Sequence, residues 1–482
     1  MNTLFVVGEC VPFCKTGGLA DVAGSLPQAL QRQGTSVSVI LPKYGDIPQV
    51  WQEKMEYVTH WTVNVGWREQ HCGLFQLEHD GVTMYFIDNE YYFRRSQLYG
   101  FPDDGERFSF FCLAVLEALP KLDTFPDVLH CHDWHTGMVP YLLSEYYGFY
   151  PEYGRIRTVF TIHNLRYQGV FPKSILGELL PLGEEHFTSQ RLEFHGGINF
   201  LKAALVASDR ITTVSPSYAK EIQTEEYGER LTGVLQVRTE HISGIVNGID
   251  EEVYNPVTDV FIPHPFTASI QESKSLNKRT LQQQMSLPEQ DVPLVAVISR
   301  LTNQKGMGLV REVFHELMKE DIQFVLLGSG ERDDENFFRE MEAQYHEKCR
   351  SYIGFDESFA HHLYAASDML LLPSLFEPCG LSQLIGMKYG TVPIVRETGG
   401  LKDTVLSYNE ETGEGWGFTF GPIDSSAFLY TVRRALSFYE NGEVWQLIQQ
   451  RCLQRDVSWD SSALAYNELY EEITTRRESH VF

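Results

Sequence analysis

Basic residues are few in this 482-residue sequence: 39 Lys and Arg stand against 65 Asp and Glu, which gives a formal net charge of −26 at pH 7. Nucleic acids and anionic membrane surfaces favour basic proteins, so neither is an expected partner. An anionic ligand would have to be held by a few local cations set in an acidic protein. Net charge by itself says nothing about the fold.

Long apolar runs are also missing, since no stretch approaches the roughly 18 apolar residues of a transmembrane helix. Residues 1–10 lack the basic segment and long apolar stretch of a secretory signal. The eight cysteines are scattered without a Cys-x-x-Cys pair, which argues against a structural zinc site and favours reduced thiols. We therefore expect a cytoplasmic protein.

The common nucleotide motifs are absent. The sequence has no GxxxxGK[ST] loop and no GxGxxG, and Gly328-Ser329-Gly330 lacks the third glycine, so a nicotinamide cofactor is not supported. The Asp-x-Asp pair with which many glycosyltransferases bind a metal and a diphosphate also occurs nowhere. This favours neutralisation of a bound diphosphate by Lys and Arg rather than by Mg²⁺, and no metal is expected.

Apolar and aromatic residues are plentiful, at 43% and 13% of the chain, which is enough for large cores and excludes a mostly disordered protein. The length suggests about two to four domains. An apolar run at 4–7, a glycine-rich turn, a helical stretch at 22–31 and a second run at 36–41 predict a βαβ unit. Similar alternation continues along the chain.

The pattern predicts an α/β protein with two doubly wound, Rossmann-like domains facing across a cleft. We place the first domain at residues 1–240 and the second at 241–457, opening on a strand at 242–246. Residues 458–482 are predicted to form a helix that packs back on the first domain. Ligands of open α/β sheets bind at the carboxyl ends of strands, and the cleft between two such sheets is the expected site.

Three loops after predicted strands carry candidate ligand-binding groups. Lys15-Thr16-Gly17-Gly18 precedes a helix, which is typical of a phosphate-binding loop, although a tight turn with an exposed lysine is the alternative. Arg300 and Lys305 could face a diphosphate or be solvated cations. Glu377 could bind a sugar hydroxyl or cap a helix, and Cys379 could be a nucleophile or a small buried thiol.

The segment His130-Cys131-His132-Asp133-Trp134-His135 is the densest polar cluster. Side chains on a strand alternate between faces, so only His130 and His132 share one. Three interpretations stay open: a metal site, hydrogen-bonding groups that line a site, and structural capping. His163-Asn164 follows the next predicted strand and would lie on the same rim.

Taken in order, these segments resemble a known family. The motifs that carry the resemblance are Lys15-Thr16-Gly17-Gly18-Leu19-Ala20-Asp21, His132-Asp133-Trp134-His135, Thr161-Ile162-His163-Asn164-Leu165, Val246-Asn247-Gly248-Ile249-Asp250, Ser299-Arg300-Leu301-Thr302, Gln304-Lys305-Gly306 and Phe376-Glu377-Pro378-Cys379-Gly380-Leu381. They resemble bacterial glycogen synthases and plant starch synthases over essentially the whole chain.

The resemblance implies the GT-B fold and a retaining enzyme that transfers glucose from ADP-glucose to the non-reducing end of an α-1,4-glucan such as glycogen. It assigns catalysis to His163, Arg300, Lys305 and Glu377. It assigns donor binding to Lys15, Gly18, Asn247, Phe355, Cys379, Gly380, Leu381 and Ser382, and acceptor binding to Glu9, Asp21, Asp133 and Asn164. It implies no cofactor and no metal, and it leaves the oligomeric state open.

One position departs from the pattern of related retaining enzymes, which often carry a second Glu where this sequence has Ile385. Ribose recognition, and with it the preference for ADP-glucose over UDP-glucose, is therefore less firmly implied than the reaction. The competing functions are another transferase or a glucan phosphorylase of the same architecture, a silent glucan-binding module, and a glycoside hydrolase with a carboxylate pair.

Overall fold

The computed structural model describes residues 1–475 and divides into two compact units. The first contains Met1–Gly248 and the segment that begins at Trp459, and the second is Ile249–Ser458. The first boundary thus follows Gly248 rather than residue 240. Residues 476–482, the end of the expected C-terminal helix, lie outside the described residues.

The first unit is built on a large sheet and a small one. Its strands are β1 (Asn2–Val6), β2 (Ser36–Pro42), β3 (Glu56–Val65), β4 (Arg68–His79), β5 (Val82–Asp88), β6 (Val128–His132), β7 (Arg157–Ile162), β8 (Val170–Pro172), β9 (Glu193–Phe194), β10 (Gly197–Asn199), β11 (Arg210–Thr213) and β12 (Ile242–Gly244). Among the described residues, the large sheet has the order β12-β11-β7-β6-β1-β2-β5-β4-β3, and the small sheet is β8-β10-β9.

The strands β12 to β5 of that order are parallel, whereas β4 and β3 extend the sheet as an antiparallel hairpin. The central strands β1, β6 and β7 are buried on both faces, as parallel strands covered by helices should be, although β6 carries two histidines. The chain runs from β1 outward to β2 and β5, and then returns to β6 on the other side of β1. The strand order therefore reverses between β1 and β6.

Helices cover this sheet. They are α1 (Gly18–Arg32), α2 (Gln49–Gln52), α3 (Glu90–Phe93), α4 (Asp104–Ala118), α5 (Met138–Leu142), α6 (Ile175–Glu178), α7 (Phe200–Ala207), α8 (Pro216–Glu221) and α9 (Thr232–Val237). The βαβ unit predicted at the N-terminus is confirmed as β1, α1 and β2, with β1 and β2 in parallel register.

The second unit has one sheet and its own apolar core. Its elements are α10 (Ile270–Gln284), β13 (Leu294–Ile298), α11 (Met307–Leu317), β14 (Gln323–Gly328), α12 (Arg332–Gln344), β15 (Cys349–Ile353), α13 (Glu357–Ala366), β16 (Met369–Leu372), α14 (Ser382–Lys388), β17 (Val392–Arg396), α15 (Gly399–Thr404), β18 (Phe418–Phe420), α16 (Ser425–Tyr439) and α17 (Gly442–Leu453). All strand pairs are parallel, in the order β15-β14-β13-β16-β17-β18. This is the doubly wound Rossmann order, and it reverses between β13 and β16.

The strand predicted to open the second series was assigned to the wrong sheet. β12 pairs with β11 in the first unit, with Ile211 opposite Ile242. A short apolar run shows that a strand forms, but its sequence does not show which sheet edge it joins.

The chain returns to the first unit through α18 (Asp460–Thr475), which packs against α1. Its buried residues follow helical spacing and form one stripe: Ser462, Ala463, Tyr466, Leu469, Tyr470 and Ile473. Within residues 1–475, no helix combines the length and the apolar character needed to cross a membrane.

Candidate active site

In each unit, the residues singled out from the sequence lie at the carboxyl edge of the sheet. In the first unit, Glu9 and Lys15 follow β1, Asp133 follows β6, and His163 follows β7. These three strands are neighbours, and β1 and β6 flank the reversal of strand order. Open α/β sheets bind ligands at this kind of position.

The loop that carries Lys15 is held by hydrogen bonds to the side chain of Glu9. The buried Glu9 carboxylate accepts hydrogen bonds from the Thr16 N–H at 2.6 Å, the Thr16 hydroxyl at 2.5 Å and the Gly17 N–H at 3.1 Å. Burial raises the pKa of Glu9, and the hydrogen bonds from Thr16 oppose that shift. Both carboxylate oxygens are therefore occupied in shaping the loop.

Lys15 itself is partly exposed, and its ammonium lies 2.7 Å from Asp21 Oδ1. Asp21 lies in the first turn of α1, which begins at Gly18. An exposed pair of this kind contributes little to stability, so the lysine can exchange Asp21 for an anion at small cost.

Asp133 has an unusual backbone conformation, with φ +56° and ψ 179°. Conformations of this kind are strained for residues other than glycine and concentrate at functional sites. The Asp133 carboxylate accepts the backbone N–H of His163 at 2.8 Å. Burial raises its pKa to about 7, although the backbone hydrogen bonds of His163 and Asn164 act in the opposite direction.

His163 is half-buried, and its Nε2 lies 2.9 Å from Nδ1 of His132, the last residue of β6. Burial lowers the pKa of His163 to about 3, so the ring is neutral near pH 7. The side-chain oxygen of Asn164 accepts the N–H of Arg166 at 3.1 Å and shapes the turn after β7.

The three open interpretations of the histidine cluster can be compared with its geometry. The rings of His130 and His132 stack with centroids 4.2 Å apart, while His135 stacks on Tyr99 at 4.0 Å. In residues 1–475, no group of three or more His, Cys, Asp and Glu side chains is placed to hold a metal ion. His132 is instead a hydrogen-bonding residue beside His163.

Asn247 lies near the end of the first unit. Its side chain is 7% exposed, and Oδ1 has no hydrogen-bond partner among the described residues. Burying an amide oxygen without a hydrogen-bond partner costs free energy of folding. A donor group of a ligand could hydrogen-bond to this oxygen.

The second unit places an ion pair at the reversal of its own strand order. Lys305 lies in the loop after β13 and Glu377 in the loop after β16, with Nζ and Oε2 2.5 Å apart. Both side chains are largely buried, at 18% and 7% exposed. The Ser374 hydroxyl donates to the same carboxylate oxygen at 3.0 Å.

A glycine brings these two loops together. Gly306 has φ +74°, and a Cβ built on it would lie 1.9 Å from the carbonyl oxygen of Pro373. No larger residue fits without a shift of the backbone. The Lys305-Gly306 sequence therefore places the ammonium beside Glu377 because the chain can approach the β16 loop this closely.

Two further predicted residues of this edge are open to solvent. Arg300 is exposed, and its side chain forms no ion pair with the residues that the structure describes. Phe355 follows β15 and is 78% exposed, directly before the Asp356 cap of α13. Both side chains are free to contact a ligand.

The segment from Cys379 to Ser382 continues from Glu377 into α14. Cys379 is buried, Gly380 has φ +75°, and Ser382 is the first residue of α14. Leu381 is half-buried. Ile385, three residues after Ser382, is part of the apolar core, so this position offers no polar group to a ribose.

The sequence Thr-Gly-Gly-Leu occurs at residues 16–19 and again at 398–401, and it opens a helix in both units, α1 at Gly18 and α15 at Gly399. In the second unit the reason is close packing. A Cβ on Gly399 would lie 1.9 Å from the Glu377 carbonyl oxygen, and one on Gly400 would lie 2.2 Å from that of Cys379. These glycines support the loop that carries Glu377.

Sequence reasoning named His132 in the polar cluster but did not predict its contact with His163, and it gave Ser374 no role in the site. Ser374 shares Glu377 with Lys305, and its only signal was its position just beyond β16. His132 contacts His163 across 31 positions of the chain, which no local pattern reveals.

Comparisons with known proteins agree with this geometry. The model of the starch synthase catalytic domain matches residues 2–237, and the model of glycosyl transferases group 1 matches residues 278–441. Glycogen synthases of Anoxybacillus flavithermus and Geobacillus stearothermophilus are 56% identical to this chain over 474 and 479 residues. The alignments cover 98% and 99% of this chain and the same shares of those proteins.

Among solved structures, the catalytic domain of starch synthase IV from Arabidopsis thaliana, bound to ADP and acarbose, matches with a TM-score of 0.91 and 36% identity. The match covers 98% of this chain and 99% of that one. The two parallel-sheet units are thus those of a GT-B glycosyltransferase, and the chain belongs to the family of bacterial glycogen synthases and plant starch synthases.

Proposed function

We propose that this protein is a glycogen synthase that transfers glucose from ADP-glucose to the non-reducing end of an α-1,4-glucan with retention of the anomeric configuration. The observation that carries the proposal is the Lys305–Glu377 pair at the strand reversal of the second unit, with Ser374 on the same oxygen. The full-length relatives named glycogen synthase support the choice of reaction.

The cations Lys15, Arg300 and Lys305 can stabilise the negative charge that develops on the leaving group of this reaction. Breaking a glycosyl–diphosphate bond leaves negative charge on the departing group, which fixed donors stabilise. We assign Arg300 and Lys305 to the departing diphosphate, and Lys15 and Gly18 to donor phosphates as well. Since these cations neutralise the leaving group, no metal is required.

The remaining donor residues bind the sugar and the base. Glu377 holds a glucose hydroxyl, and His163 donates to the transferred glucose. Phe355 stacks on the adenine, which its exposure permits. The other residues assigned to the donor are Asn247, Cys379, Gly380, Leu381 and Ser382.

The acceptor glucan is assigned to the first unit, at Asp21, Asp133 and Asn164. Glu9 belongs to the same group, and it acts by holding the Thr16-Gly17 loop, since both of its oxygens are already bonded there. The glucan is neutral, so the strong net charge of the protein does not oppose its binding.

The reaction follows front-face displacement. The acceptor O4 attacks C1 on the face that the diphosphate leaves, the C1–O bond to phosphate breaks, and the acceptor proton passes to the leaving phosphate oxygen. Glu377 is engaged by Lys305 and Ser374, which suits a binding role. Trapping of a covalent glucosyl–Glu377 intermediate would overturn this sequence of events.

Ile385 favours a second candidate, transfer from UDP-glucose, because its apolar side chain gives no ribose contact to set nucleotide preference. We also place the protein in the cytoplasm, which its eight cysteines support, since none forms a disulfide within residues 1–475.

The test supplies purified protein with glycogen and either ADP-glucose or UDP-glucose, and follows nucleotide release and glucan elongation. We expect faster elongation from ADP-glucose, with α-1,4 linkages in the product by NMR. Glu377→Gln is the inactive control. Elongation from neither donor would refute the proposed reaction, and elongation from UDP-glucose alone would establish the second candidate.

A further inference from the structure

Three histidine rings form a row at the carboxyl edge of the first sheet. His130 and His132 lie on the same face of β6, and His163 follows β7. The His130 and His132 rings stack at 4.2 Å, and the centroids of His132 and His163 are 5.2 Å apart. The row runs from the interior of the unit to the proposed sugar site.

The inner end of the row is fully bonded. His130 Nδ1 lies 2.6 Å from the Tyr470 hydroxyl of α18, and His130 Nε2 lies 2.6 Å from the Thr161 hydroxyl. Phe5 packs its ring against both His130 and His132, with centroids at 4.7 and 5.0 Å. The rings are therefore fixed in place.

The hydrogen bond between His132 and His163, at the outer end of the row, could be donated by either ring. His132 Nδ1 and His163 Nε2 are 2.9 Å apart. Burial lowers the pKa of both rings, so each is neutral and carries a single N–H. Either His132 donates to His163, or His163 donates to His132.

The other nitrogen of His132 decides between these two arrangements. His132 Nε2 is buried and has no hydrogen-bond partner among the described residues. If His163 were the donor, the one proton of His132 would have to sit on this Nε2 as a buried, unpaired N–H. Orphaned buried N–H groups are rarer in proteins than under-bonded acceptors, so the proton belongs on Nδ1.

We propose that His132 is a positioning residue that donates its Nδ1–H to His163 Nε2 and so fixes His163 as the tautomer with a proton on Nδ1. This inference rests on the proposed function, in which His163 contacts the transferred glucose. His163 then presents a neutral N–H donor, and sugar oxygens are its natural acceptors. Within the described residues, the His163 ring makes its hydrogen bond through Nε2, to His132, which leaves Nδ1 available for the sugar.

The first test reads the tautomer directly, without any substrate. Protein labelled with ¹⁵N at histidine is studied by long-range ¹H–¹⁵N NMR, and His163→Gln identifies the His163 signals. We expect a protonated Nδ1 and an unprotonated Nε2 at His163. A protonated Nε2 would overturn the proposal, whether or not the protein proves to be a glycogen synthase.

Two variants of His132 separate positioning from packing. In His132→Asn the side-chain amide replaces the Nδ1 donor, whereas in His132→Gln it falls nearer the Nε2 position. We expect His132→Gln to lose the His163 tautomer and at least about tenfold in kcat, and His132→Asn to recover most of both. Equal losses of kcat in the two variants would overturn the proposal.

His135→Gln serves as the matched control. His135 is buried on the same segment but stacks on Tyr99 and does not contact His163. We expect the His163 signals to stay unchanged in this variant. A change of the His163 tautomer here would mean that any disturbance of the segment has this effect, and would also overturn the proposal.

Discussion

The ammonium of Lys305 and the carboxylate of Glu377 show how single residues serve this protein. Their separation is 2.5 Å, and both are mostly removed from water. A buried pair of this kind adds little net stability, because the free energy of desolvation offsets the attraction between the charges. Its place at the reversal of strand order instead supports the proposed role of Lys305 as a fixed cation for the donor phosphates.

Lys305→Ala should therefore act mainly on turnover. A fixed transition-state donor contributes about 100-fold or more, so we expect kcat to fall at least about tenfold. The measurement is ADP release with glycogen as acceptor, with a thermal melt to show that the fold is kept. Lys319→Ala, which removes an exposed lysine paired with Glu316, is the control. Turnover within about twofold of the wild type in Lys305→Ala would show that the lysine is only structural.

Asp133 makes stability depend on pH. Burial raises its pKa from 3.8 to about 7, so the folded protein binds this proton more tightly than the unfolded chain does. The stabilising contribution of the protonated form is complete below about pH 4 and is lost as the pH rises through about 7. At neutral pH the folded state holds a carboxylate that burial disfavours.

Asp133→Asn should remove this dependence, since an amide oxygen still accepts the His163 N–H and asparagine tolerates positive φ. Relative to the wild type, the variant should gain stability between pH 5 and 7.5, by at most about 2.5 kcal/mol. Urea unfolding at both pH values measures this difference, and Asp46→Asn controls for the loss of an exposed charge. A difference that is equal at the two pH values would contradict the prediction.

The location of residues at strand ends followed from the sequence, whereas their mutual contacts did not. Lys305 and Glu377 were each predicted to follow a strand, because apolar runs end just before them. Their pairing depends on β13 and β16 being neighbours, which results from the strand order of the sheet and not from either segment. The roles assigned to them individually stay predictions.

At the scale of elements, α18 is the most informative, because it closes the first unit from the far end of the chain. Its ion pair between Arg32 and Asp460 is about 60% exposed on both sides and contributes little. Its buried stripe contributes more, and Tyr470 adds a hydrogen bond of 2.6 Å to His130. The helix thereby supports the inner end of the histidine row.

Tyr470→Phe should destabilise the protein by about 1–3 kcal/mol, because one buried nitrogen of His130 loses its partner. Chemical denaturation compares the variant with Tyr91→Phe, which removes a hydroxyl from a residue that is 65% exposed. Equal stability of the two variants would show that the hydrogen bond to His130 makes no net contribution to the free energy of unfolding.

Elements were easiest to predict where the apolar pattern was continuous. The apolar runs at 4–7 and 36–41, which predicted strands, are confirmed as β1 and β2. The hairpin of β3 and β4 was missed, because many of its side chains are exposed and its alternation is broken at a register shift between Tyr57 and Thr59. Its tight turn at Gly66 has φ +61°, which only the backbone reveals.

For the whole molecule, the predicted division into two α/β halves is reproduced by the two compact units, although the chain crosses between them twice. The second unit is continuous in sequence and encloses its own core. The first unit is not, since α18 follows the second unit in the chain. This asymmetry leads to different expectations for the two isolated fragments.

Fragment 249–458 should fold alone, because every strand of its sheet and its apolar core lie within it. Fragment 1–248 lacks α18 and should expose the surface of α1 and His130 that the helix covers. We expect fragment 249–458 to melt cooperatively by circular dichroism. Fragment 1–248 should melt at a lower temperature alone than with peptide 459–482 added. A Tyr470→Ala peptide is the control and should stabilise less. If peptide 459–482 left the melting temperature of fragment 1–248 unchanged, α18 would not stabilise the first unit. The histidine row would then be held in place by the sheet alone.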